Sequence, residues 1–124
     1  MMHPKSPKWL DDIADACAFI AQITANATAA DYDADRLLRH AVERNFEIIG
    51  EALRRLERTD PLTAARISGY RAAGDFRNRL AHQYDDVDNA QVWEIVQDIV
   101  PVVYREAEQL LREAEMEASD EPSR

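Results

Sequence analysis

One stretch decides the fold: residues 34–58, ADRLLRHAVERNFEIIGEALRRLER. Leu38, Ala41, Val42, Ile48, Ile49, Ala52, Leu53 and Leu56 recur there at steps of three and four and line one broad helical face. At ~1.5 Å per residue such a helix is nearly ~40 Å long, the span of a whole small domain. Charged side chains cover the opposite face, so the apolar face needs other helices against it. Asn45 falls between Ala41/Val42 and Ile48/Ile49, on the buried side. A buried amide needs a partner, which makes Asn45 either an interhelical hydrogen bond or part of a site. Gly50 sits mid-helix at a cost of ~1 kcal/mol relative to alanine, which close approach of another helix would explain.

Working outward, the neighbouring segments supply those helices. A first helix is expected from Ser6-Pro7, with Ser6 as cap and Pro7 in the first turn. Its stripe is Trp9, Ile13, Ala16 with Cys17, Ile20 and Thr24. Residues 26–33, NATAADYD, read as a connection. Asp60-Pro61 is a stop followed by a restart, with short turns over 61–67. A third helix is expected over roughly Tyr70 to Tyr84, with Ala73, Phe76 and Leu80 in its core stripe. Asp88 can cap the last helix, with Gln91 placed as in a capping box. That helix carries Val92, Trp93, Val96, Ile99/Val100, Val103, Ala107, Leu110 and Leu111, and Pro101 inside it should kink it. Residues 113–124 are acidic and are expected to fray. The expected fold is therefore all-α: one domain over 1–124, an antiparallel up-and-down bundle of four main helices plus a short helical turn. The apolar surplus on the second and fourth helices points to a homodimer.

Composition agrees. The 124 residues suit one domain with a real core. With 3 Gly and 5 Pro the chain is short of the turns that sandwiches and barrels need. No apolar run approaches the ~20 residues of a membrane span. Met1 to Lys8 holds no apolar signal-peptide core, so a cytoplasmic protein is expected. The single cysteine, Cys17, excludes an internal disulfide and a multi-cysteine zinc site, and it lies in the apolar stripe as core packing.

The net charge of −9 opposes non-specific binding to nucleic acid. The charge is uneven, however. Residues 1–35 hold 2 bases and 6 acids, residues 36–79 hold 10 and 6, and residues 80–124 hold 3 and 12. Every central base is arginine, the side chain suited to bidentate contact with phosphate.

The segment that can carry chemistry is Arg77-Asn78-Arg79-Leu80-Ala81-His82-Gln83-Tyr84. On a helix His82 points ~160° away from Leu80, so it is not an obvious core histidine. Asn78 is one turn before His82, on the same face, and can hold the imidazole in one tautomer. Arg77 lies ~140° around from His82, so one straight helix does not easily aim both at one phosphorus. A long arginine, a distorted helix end or a second subunit would be needed. Histidine moves protons near neutral pH, and arginine stabilises charge on a phosphoryl oxygen. The pair therefore suits RNA cleavage by the substrate's own 2′-hydroxyl, with no metal and no cofactor. The bare Arg-x4-His spacing is weak as a signal, and its alternative is a solvated helix face. His40 is expected on the surface and His3 in a tail.

At these residues the sequence resembles the HepT-type toxins of the HEPN superfamily. The resemblance rests on residues 41–52 (AVERNFEIIGEA), 76–84 (FRNRLAHQY), Val87-Asp88, residues 92–96 (VWEIV) and Pro101, in order, and covers roughly residues 8–112. It implies a dimerising helical bundle and a metal-independent endoribonuclease with Arg77 and His82 as catalytic residues. Asn78 takes the polar position beside the arginine. Tyr84 resembles the tyrosine that receives AMP from an MNT-type nucleotidyltransferase antitoxin, as in type VII-like toxin–antitoxin pairs. Two other functions compete: a non-catalytic nucleotide- or substrate-binding subunit of a nucleotidyltransferase complex, which the −9 charge suits better than a long RNA does, and a purely structural helical dimer.

Overall fold

The structure is a computed structural model, and it describes residues 2–68 and 88–119. The described residues form helices and no strand: α1 (Ser6–Thr24), α2 (Ala29–Ala34), α3 (Arg36–Thr59), α4 (Pro61–Ala64), α5 (Asn89–Glu94) and α6 (Val100–Ser119), with a π-helical turn over Ile95–Ile99 between the last two. The helix expected over 70–84 lies outside the described residues. No helix among those described is long and apolar enough to cross a membrane.

α1 packs against both α3 and α6. Its direction follows from two contacts. Ser6 Oγ, at the start of α1, donates to Asp60 just past the end of α3 at 2.8 Å, and the Met2 amide meets Glu117 near the end of α6 at 3.4 Å. α1 is therefore antiparallel to both neighbours, as an up-and-down bundle requires. The core they share includes Ile13, Cys17 and Ile20 of α1, Phe46, Ile49 and Leu53 of α3, and Val103, Ala107 and Leu110 of α6, all buried. Each Ile, Leu, Val and Phe side chain among them contributes roughly 1.5–3 kcal/mol by leaving water. Phe46 is buried while Ile48 is only partly so, which turns the apolar face of α3 slightly from the one the spacing suggests. Trp9 is half-buried at the edge of the core rather than within it.

Local signals set most of the ends. Asp35 caps α3 by accepting from the Leu38 amide, and Asp60 caps α4 by accepting from the Thr63 amide, the expected stop and restart. Asp88 caps α5 by accepting from the amides of Ala90 and Gln91.

Several local expectations are corrected. Ser6 is not a cap: Lys5 is the N-cap, and the buried Ser6 hydroxyl is spent on Asp60 instead. The stretch expected as a connection, 26–33, is largely α2, which opens with a capping box in which Thr28 and Asp31 bond each other's amides. Among the described residues Asn45 makes no interhelical bond; its Nδ2 donates back to the Ala41 carbonyl at 2.8 Å. Thr24 likewise donates to the Ile20 carbonyl, so the hydroxyl that ends the α1 stripe is satisfied within its own helix.

Pro101 disrupts the last helix as its missing N–H dictates, and the form of the disruption is the π turn, where the Val100 amide reaches back to the Ile95 carbonyl. α6 then continues to Ser119, seven residues into the stretch expected to fray, with Glu113 and Glu117 both held by contacts elsewhere in the fold.

Candidate active site

Arg77, Asn78, His82 and Tyr84 lie outside the described residues. What the structure places is the frame on either side of residues 69–87. On the incoming side, Arg66 makes a two-pronged ion pair with Glu113 of α6, at 2.6 and 2.7 Å. The guanidinium holds the Glu113 carboxyl down at about 2, and the carboxylate in turn raises the Arg66 pKa. Two residues later the Ser68 amide and hydroxyl both donate to the Glu106 carboxylate, at 3.1 and 3.0 Å. These carboxylates are two turns apart on α6, so the chain is led along that helix to residue 68. On the outgoing side, Asn89 Nδ2 donates to Asp33 of α2 at 2.9 Å, and Asp88 starts α5. Both ends of the segment with the Arg–His motif are thus tied to described helices through side chains.

None of these three ties is apparent from local spacing, because each joins residues 38 to 56 positions apart. Their signal in the sequence is only that polar residues sit next to a motif.

Other candidate groups are also placed. His40 is exposed, as expected. His3 is not loose: its amide donates to Asp60 at 3.0 Å and its Nδ1 accepts from the Lys5 amide. Asp60 thereby gathers four donors, from His3, Ser6 and Thr63 twice. Burial alone would push its carboxyl up, but these bonds win and hold it at about 2. Burial pushes the Cys17 thiol up to about 12, so Cys17 is an inert core residue rather than a nucleophile.

The half-buried Glu43 carboxyl is also raised, chiefly by burial, against the pull of His40 and Arg39. Tyr32 packs fully buried against Trp93, ring centroids 5.6 Å apart. Its hydroxyl has no hydrogen-bond partner among the described residues. Among the described residues no group of three His, Cys, Asp or Glu side chains could hold a metal ion.

With an antiparallel helical bundle established and the motif's frame fixed, comparison with known proteins defines the class. The family model described as Ribonuclease HepT-like matches residues 13–110, a span that includes residues 77–84. Over 115 residues the chain is 30% identical to "Putative RNase MJ1216" of Methanocaldococcus jannaschii, covering 93% of each chain. It is 30% identical over 102 residues to "Probable ribonuclease HepT" of Thermococcus cleftensis, covering 82% of this chain and 92% of the relative. No solved structure matches the chain. The chain belongs to the HepT-like ribonuclease family of the HEPN superfamily.

Proposed function

We propose that this protein is a metal-independent endoribonuclease toxin whose catalytic residues are Arg77 and His82. The observation that carries this reading is the family match across the intact Arg77-x4-His82-x-Tyr84 element. In the reaction, an imidazole takes the proton of the RNA 2′-hydroxyl, and the 2′-oxygen attacks the adjacent phosphorus. The bond to the 5′-oxygen breaks, and that oxygen leaves with a proton from an imidazolium. The products are a 2′,3′-cyclic phosphate and a 5′-hydroxyl. Arg77 offsets the charge that builds on the non-bridging oxygens. Asn78 orients the His82 ring. A homodimer supplies two histidines to one site, one as base and one as acid.

Tyr84 is the residue silenced by AMP transfer from an MNT-type nucleotidyltransferase antitoxin. The adduct adds bulk and negative charge where phosphate must approach.

The test is RNA cleavage in EDTA by wild type and by His82→Ala, both expressed without a partner and both shown by intact mass to be free of AMP. Cleavage by wild type alone is expected. Absence of cleavage by both would overturn the nuclease reading in favour of the non-catalytic nucleotide-binding subunit, and equal cleavage by both would remove His82 from the chemistry.

A further inference from the structure

The outward face of α3 carries a charge opposite to that of the chain. The buried residues of α3 fix its inward direction, and within ~50° of the opposite direction lie Arg36, Arg44, Arg54, Arg55 and Arg58, with His40 among them. Only Glu47 and Glu51 oppose them there. This face is net +3 on a chain of net −9. It is the ridge of a groove of about 420 Å³ between α1 and α3, lined by Lys8, Trp9, Arg44, Ile48 and Arg55 with the three carboxylates of Asp12, Glu47 and Glu51.

In the groove Lys8 is paired with Asp12 at 2.8 Å, and the cations that the carboxylates leave over lie along the ridge. Arg44 pairs with Glu47 at 3.1 Å, while Arg54 and Arg55 share Glu51 at 3.6 and 3.1 Å. These are solvent-exposed pairs within one helix, weak enough for a phosphate to displace. Arg36 and Arg58 are exposed and their side chains make no hydrogen bond or ion pair among the described residues. The groove also offers a half-buried indole, Trp9, beside Lys8. Cations that follow a backbone, next to an aromatic ring that can stack a base, form the usual platform for single-stranded nucleic acid. A duplex keeps its bases stacked inside and cannot use Trp9 in this way.

We propose that the α3 ridge and the α1–α3 groove bind single-stranded RNA, with the arginines on its phosphates and Trp9 under an unpaired base. This rests on the ribonuclease reading and adds where the substrate is gripped. The ridge is where an acidic protein admits a polyanion; the other two long described helices are acidic, α6 with Glu106, Glu108, Glu113, Glu115 and Glu117 and α1 with Asp11, Asp12 and Asp15.

The experiment measures binding of a fluorescein-labelled single-stranded RNA to the full chain carrying His82→Ala, across a salt series. Arg55→Gln/Arg58→Gln is compared with Arg105→Gln/Arg112→Gln on α6, which removes the same charge elsewhere. The ridge pair is expected to weaken binding on the order of tenfold and to flatten the log–log salt slope by about 1.4, since each single-strand phosphate contact contributes ~0.7. The α6 pair should change the slope by much less. Equal slopes and affinities for the two pairs, with wild type still cleaving the RNA, would overturn the ridge and leave the nuclease reading standing. Equal binding of a blunt RNA duplex would overturn the single-strand assignment. Wild type that neither cleaves nor binds RNA would overturn the nuclease reading itself, and the ridge with it.

Discussion

Tyr32 shows how one atom can be read against the fold around it. Its ring packs tilted against Trp93, while its hydroxyl is buried and without a hydrogen-bond partner among the described residues. A buried, unsatisfied hydroxyl costs roughly 1–3 kcal/mol relative to water, and the apolar ring is what the site accommodates. Burial also drives the phenol pKa well above its usual range, so the group stays neutral. Tyr32→Phe should therefore raise stability by about 1 kcal/mol, or Tm by about 4 °C for a chain of this size. A thermal melt checks this, and a lower Tm would show that the hydroxyl has a partner. Asn45 is the opposite case. Its position on the buried face was legible, but its partner was not, because a side chain that bonds its own helix leaves the same periodicity as one that bonds a neighbour.

At the scale of elements, Asp60 joins three pieces of chain. It caps α4 through Thr63, holds the start of α1 through Ser6, and ties down the His3 amide. Its folded pKa of about 2 lies below the ordinary carboxyl value. The stability it lends is thus present in full above the unfolded pKa of ~4 and is lost as pH falls toward 2. The shift corresponds to roughly 2 kcal/mol. Denaturant melts of wild type and Asp60→Asn should differ at pH 7 by roughly 2–3 kcal/mol and converge by about pH 2. A constant gap across that range would mean that the carboxylate's charge is not what stabilises the junction.

The same junction shows what was readable. Asp60-Pro61 announced the end of α3 because a cap and a proline act locally. Ser6 misled because its partner is 54 residues away, and no local rule reports such a bond. α2 was legible in principle, since Thr28-x-x-Asp31 is a capping box, but six residues carry too little periodicity to announce a helix. Pro101 signalled a break and could not specify its shape. Of the site, the motif was legible as a cluster of residue types; the ties through Glu106, Glu113 and Asp33 were not, being long-range polar contacts.

For the whole molecule, the proposed reaction needs two histidines at one site, and the chain has one motif. Sedimentation equilibrium at micromolar concentration should therefore give twice the 14.1 kDa chain mass. A purely monomeric species that still cleaves RNA would rule out the shared site. Phe19, Leu37, Leu62 and Met116 are the large apolar side chains left exposed among the described residues, and substituting them by Ser one at a time would locate the contact.

The packing of α1 between α3 and α6 also has a consequence in time. α1 leaves the ribosome long before its second partner, α6, has been made. Until then one side of α1 has no cover, and the partial chain is exposed to association with its neighbours. A bundle whose core needs α6 cannot complete that core before α6 is made, so an activity that depends on the folded bundle is withheld until then.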